Sequence, residues 1–171
     1  LRVHWGERLF GRLPFSGALS VDTQSVMAIS GAPGNWFLEH LDPWTGQRRW
    51  CVELGDSPLP GKHPLITAEV VVVPVGGDHG AGAEAFDRRS GRLLWKQQAD
   101  LASAASAWLA FDDAVIVNDA AGVLLCLDAK TGKPRFNHVF AGNCEADAPR
   151  RLEPVLRNGA LFVPQQQVHV V

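Results

Sequence analysis

The sequence predicts an all-β protein, a β-propeller of four-stranded antiparallel blades. Three observations predict it. A phrase occurs three times with constant internal spacing: Asp42, Thr45, Gly46 and Trp50; Asp87, Ser90, Gly91 and Trp95; Asp128, Thr131, Gly132 and Phe136. The copies recur every 41–45 residues, a period typical of solenoids, propellers and arrays. Each repeat also divides into short runs rich in Val, Ile, Leu and aromatics, punctuated by Gly, Pro, Asn and Asp, which read as strands.

The strands follow one order. A less regular first segment covers 13–21, 63–66, 104–111 and 153–156. A β-branched run comes next, at 25–29, 70–75 and 114–117, followed by turn-rich stretches at 30–35, 76–82 and 118–122. A third strand occupies 37–41, 83–86 and 123–127; the phrase closes it, and a fourth strand bears the aromatic. The Ala-rich segment 101–110 is the best helical candidate. It falls where the other repeats place their first strand, and that register outweighs a weak propensity.

The phrase has a physical logic. An Asp at a strand end accepts hydrogen bonds from backbone N–H groups two or three residues on, as an Asx turn. The Gly takes φ > 0 and closes the hairpin with a G1-type bulge. The aromatic returns on the outer strand and packs on the neighbouring blade, contributing about 2–3 kcal/mol of burial.

The ends fit the same period. Trp5 lies 45 residues before Trp50, so residues 1–9 read as the last strand of a preceding repeat. Val171 falls where Leu41, Phe86 and Leu127 fall, one residue before an Asp. One propeller region therefore spans 1–171, with repeats at approximately 10–54, 55–99 and 100–140 and partial blades at 1–9 and 141–171. That makes about four blade-equivalents, three intact and one split, expected to form part of a larger propeller. Residues 1–9 are expected to pair with the 150–171 blade, or a strand of another chain to do so, because open edges invite association. A homo-oligomer is one such arrangement. The chain begins at Leu1 rather than Met, so it reads as processed or as an excerpt, and its lack of a targeting segment is silent on compartment.

Composition excludes several classes. The net charge of −2 gives no electrostatic drive toward nucleic acid. No apolar run approaches the roughly 18 residues of a membrane span, so direct membrane insertion is not expected. Cys51, Cys126 and Cys144 show no CxxC spacing, which argues against a disulfide framework or zinc. Cys51 and Cys126 read as core hydrophobes and Cys144 as the exposed thiol.

At the repeated phrase the chain resembles the quinoprotein-type β-propeller repeat, Ala-x-Asp-x-x-Thr-Gly-x-x-x-Trp, the tryptophan-docking motif. Ala85 with Asp87, Ser90, Gly91 and Trp95 is the nearest copy. The first copy has His40 at the leading Ala position, and the third has Cys126 there and Phe136 for Trp. The resemblance implies blades closing in sevens or eights. It embraces dehydrogenases that use pyrroloquinoline quinone, non-enzymatic outer-membrane assembly scaffolds, and sensor domains. The chain is similar to the BamB-like scaffolds rather than the dehydrogenases, which implies a periplasmic or extracytoplasmic setting. A dehydrogenase would imply quinone, calcium held by carboxylate and amide oxygens, a catalytic Asp and a vicinal Cys pair. No adjacent Cys pair occurs.

The remaining candidates read as structural. Asp42, Asp87 and Asp128 are committed to turns. His4, His40, His63, His79, His138 and His169 show no metal-ligand spacing. Asp78-His79 sits in a solvated glycine-rich loop without GxGxxG order. Asp112-Asp113 and Asn118-Asp119 lack the alternation of a calcium loop. Arg48-Arg49, Arg88-Arg89 and Arg150-Arg151 read as solvated rim, with an acidic partner the lesser alternative. Trp36 and Trp44 stand off the docking position; each is expected to be buried, Trp44 on a neighbouring blade, the alternative being an exposed anchor. No residue is assigned a catalytic, cofactor-binding or metal role. The expected function is a non-catalytic scaffold or binding module engaging a protein or peptide, without cofactor. The alternatives are part of a quinone-dependent dehydrogenase, where quinone and calcium would enter, and a ligand-sensing domain.

Overall fold

The computed structural model describes residues 15–77, 80–102, 107–118, 122–140, 154–157, 160–164 and 168–170. The expected strand at 1–9 with Trp5, the Asp78-His79 loop, Asp119, Cys144, Arg150-Arg151 and the Val171 position lie outside them. Among the described residues there is no helix, and so none that could cross a membrane.

The described strands form four antiparallel sheets, each a meander. The first blade is β1 (Phe15–Val21), β2 (Val26–Ala32), β3 (Asn35–Leu41) and β4 (Arg48–Glu53), paired in chain order. The second holds β5 (Ser57–Pro58), β6 (Leu65–Ile66), β7 (Val70–Gly77), β8 (Gly80–Asp87) and β9 (Leu93–Ala102). The third is β10 (Ala107–Phe111), β11 (Ala114–Asn118), β12 (Val123–Asp128) and β13 (Pro134–Val139). In the fourth, β14 (Val155–Arg157), β15 (Ala160–Pro164) and β16 (Val168–Val170) are described. The Ala-rich stretch is strand where described, in β9 and β10, as the register of the repeats requires.

The second blade departs from the expected pattern. Its inner strand is two short pieces, β5 and β6, both paired with β7. Pro60 and Pro64 between them have no N–H to offer a ladder, so the chain leaves the sheet there. Leu59 fills the excursion, buried, with its N–H donating to the Pro74 carbonyl. The turn-rich stretches are also shorter than expected: β2 continues to Ala32 and β7 to Gly77.

Strand periodicity explains how the sheets stack. On β7, Val71, Val73 and Val75 pack with Met27, Ile29 and Leu38 of the first blade. Val70 and Val72 point the other way, with Ala83 and Ala85, onto Val115, Val117, Leu125 and Leu127 of the third. The alternate residues of β11 and β12, Ala114, Ile116, Leu124 and Cys126, meet Leu161 and Val163 of the fourth. Side chains alternate with a period of two, so a strand buried on both faces reads as an unbroken apolar run. The run at 70–75 is of this kind. The outer strand β13, by contrast, is exposed at every position.

Candidate functional site: the blade junctions and their rim

Each copy of the phrase builds the same turn. Oδ1 of Asp42 accepts from the N–H groups of Trp44 and Thr45, both at 2.9 Å. Oδ1 of Asp128 accepts from Lys130 and Thr131 at 3.1 and 2.8 Å. Asp87 accepts from the Ser90 N–H at 2.8 Å and from its hydroxyl. The glycines take φ of 69°, 73° and 70°, and a bulge follows the third strand each time. The carboxylates are held ionised: Asp42 by the Thr45 N–H and Arg49, Asp87 by the Ser90 side chain and N–H, and Asp128, brought down to about 2, by Arg135 and then Thr131. A carboxylate so engaged is a poor general base.

The aromatic of one blade docks on the turn of the next. The Trp50 indole N–H donates to the Arg88 carbonyl at 3.0 Å, and that of Trp95 to the Ala129 carbonyl at 2.8 Å. A Cβ on Gly91 would lie 2.9 Å from the Trp50 ring, and one on Gly132 2.7 Å from the Trp95 ring. Glycine thus supplies both the positive φ and the room for the indole. Phe136 has no indole N–H and remains 40% exposed.

Charges reinforce the junctions. Arg88 is not a solvated rim residue, as its sequence position suggested. Its guanidinium reaches Asp22 Oδ1 at 2.7 Å, Ser25 Oγ at 2.8 Å and the Thr67 carbonyl at 2.9 Å, tying the second blade to the first. Lys130 meets Glu69 at 2.9 Å across the next junction. Glu84, almost wholly buried, accepts the Gly55 N–H at 3.1 Å, and Lys96 lies 3.0 Å from Glu84 and 3.1 Å from Asp56. Burial alone would lower the Lys96 pKa, but the two carboxylates hold it above the ordinary value. This triad pins the crossover between the first two blades. No periodic signal marks Arg88 or Glu84, because their partners lie at irregular separations, 21 and 66 residues from Arg88 to Thr67 and Asp22 and 29 from Glu84 to Gly55.

An antiparallel meander puts its first and third turns at one end of the sheet. The Asp turns therefore share a rim with the β1–β2 and β10–β11 turns. Trp44 stands there 72% exposed, a correction to the burial expected for it. The Asp42 carboxylate fixes the backbone of the turn whatever ring it bears, and none of the described neighbours covers that ring. Val21, Leu93 and Phe111 are exposed on the same rim. Trp36 is half-buried against the core between the first two blades. Cys126 is buried as expected, but Cys51 is exposed, because on β4 it faces away from the docked Trp50. Asp113 pairs with Arg135, and Asn118 is buried. Among the described residues no three of His, Cys, Asp and Glu converge as a metal site would require. The repeat aspartates Asp42, Asp87 and Asp128 face their own turn amides, not a shared centre that could hold calcium and quinone.

A family profile described as "Outer membrane protein assembly factor BamB" matches residues 2–171. The chain belongs to this family. No curated protein matches it in sequence. Among solved structures it is similar to BamB from Moraxella catarrhalis, with a TM-score of 0.62 and 23% identity, over 91% of this chain and 44% of that one. It is similar to the computationally designed Ika4 protein at 0.58 and 18%, over 94% of this chain and 91% of the other. A europium-containing methanol dehydrogenase gives 0.51 and 17%, over 80% and 26%. At such identities these structures share the fold. The chain spans less than half the length of the Moraxella protein.

Proposed function

We propose that the chain is a non-catalytic scaffold that engages a protein or peptide partner through the rim of the Asp turns, without a cofactor. One observation supports this above others: a Trp 72% exposed on a turn whose backbone is locked by the Asp42 carboxylate. A rigid, exposed aromatic loses little entropy on binding and is the commonest kind of interface anchor. The family's description, an outer membrane protein assembly factor, supports looking for that partner among proteins of outer membrane protein assembly.

The test uses the full-length protein in its own cells, with a photo-crosslinking amino acid at Trp44 and, separately, at exposed Ala32 on the opposite rim. The expected result is a light-dependent adduct with one component of outer membrane protein assembly from position 44 and none from position 32. No adduct at 44, or equal adducts from both, overturns the rim as the site. Thermal stabilisation of the purified protein by pyrroloquinoline quinone with calcium would overturn the non-catalytic reading.

A further inference from the structure

His40 occupies the slot that Ala85 and Cys126 fill in the other repeats. In all three blades this slot lies directly across from the repeat aromatic: His40 opposite Trp50, Ala85 opposite Trp95, Cys126 opposite Phe136. The imidazole is 3% exposed, and neither ring nitrogen has a hydrogen-bond partner among the described residues. It meets the Trp50 ring edge-on, with centroids 5.3 Å apart and planes at 66°. Trp50 is the side chain that docks the first blade on the second, through the Arg88 carbonyl and the face of Gly91.

The charged groups around His40 disfavour a second positive charge. Arg49 comes from β4, and Arg88 from the turn of the second blade. Asp22 of the β1–β2 turn and Asp42 of the β3–β4 turn oppose them, but each is engaged, Asp22 with Arg88 and Asp42 with Arg49. Met27, opposite on β2, offers no charge. Burial first, then the two arginines, set the histidine pKa below 6.5. An imidazolium formed here would be buried, unpaired and beside two guanidiniums, an arrangement that costs far more than the neutral ring.

We infer that His40 is a pH-sensitive latch on the first blade junction: neutral, it packs beneath Trp50 and keeps the blades docked; protonated, it seeks water and lifts Trp50 from the Arg88 carbonyl and Gly91. The sign follows from linkage. A histidine whose folded pKa is depressed contributes stability above pH 6.5, and that stability is lost as pH falls toward the folded value. Each unit of depression is a tenfold change in the docked-to-undocked ratio. Docking in the Trp95 junction, with Ala85 in the slot, is indifferent to the same change.

The latch is tested on the full-length protein by following the indole N–H resonances of Trp50 and Trp95 from pH 7.5 to 4.5, with the His40 ring resonances titrated in parallel. In the wild type the Trp50 signal moves to a solvent-exposed position with a midpoint below 6.5, in step with His40, while Trp95 holds. In His40→Ala, which copies the second blade, the Trp50 signal stays in place down to pH 4.5. A His40 that titrates at 6.5 or above overturns the inference. So does a Trp50 signal that moves identically in the wild type and in His40→Ala. Should His40→Ala fail to fold, His40→Gln is read the same way, and the wild-type His40 titration stands alone as the deciding measurement.

Discussion

Trp44 and Trp50 stand six residues apart on the same hairpin and do different work. The Trp50 ring lies on Gly91 with its N–H bonded to the second blade, whereas the Trp44 ring meets water. Truncating Trp50 to Ala removes apolar burial and leaves the Arg88 carbonyl without its donor, a cost of about 3 kcal/mol. Trp44→Ala stays within about 0.5 kcal/mol, as surface changes do. Urea midpoints at constant m-value check both. A Trp44→Ala protein that loses its crosslinked partner while keeping wild-type stability would separate the two roles. Both rings are Trp in the sequence, and only one sits at the repeat spacing. That spacing identified Trp50 as the docked ring. The exposure of Trp44 was not legible, because composition favours burial for any Trp and only the apex geometry of the Asx turn decides otherwise.

At the scale of the element, the hairpin and its glycine act as one part. Gly91 has φ +73° and would place a Cβ 2.9 Å from Trp50; Gly34 has φ +86° and open space around it. Gly34→Ala therefore meets only the left-handed strain, about 1 kcal/mol. Gly91→Ala meets the strain and the ring, and is expected to cost about twice that or more. In a Trp50→Ala background the excess at Gly91 disappears and its cost falls to that of Gly34→Ala. Such a double-mutant cycle measures the docking contact itself. Equal costs at the two glycines in the wild type would show that the indole yields without penalty. The turn chemistry was legible in three short stretches of sequence. The split of the second blade's inner strand into β5 and β6 was visible only as prolines, whose effect depends on β7 lying alongside to be left unpaired.

Across the whole molecule, the larger apolar clusters of the described residues lie between neighbouring blades. Each described core cluster that spans two sheets joins neighbours: first to second, second to third, third to fourth. Repeat assemblies of this kind gain stability from nearest-neighbour interfaces. Strands buried on both faces should open last and solvent-facing outer strands first. Hydrogen exchange is expected to be slowest for Val71 to Val73 on β7 and Val115 to Val117 on β11, and fastest on β13, whose six residues are all exposed. Uniform protection across β7, β11 and β13 would contradict a stack of coupled blades and indicate one indivisible unit.

The sequence by itself determined the repeat, the hairpin turns and which residues dock, because these depend on groups within a few residues of one another: an Asp beside the amides it accepts from, a Gly where φ is positive, an aromatic at constant offset. It also assigned Asp42, Asp87 and Asp128 to turns, where each accepts from the backbone amides that follow it. Only the tertiary structure decided the fates of Arg88, Glu84, His40 and Cys51. Arg88 is defined by partners on another blade, Glu84 by the crossover that enters its own blade, His40 by a buried ring without a hydrogen-bond partner among the described residues, and Cys51 by the outward face of an outer strand. Each of these depends on which surfaces meet when the sheets stack, a property of the stacked blades that no local window of sequence contains.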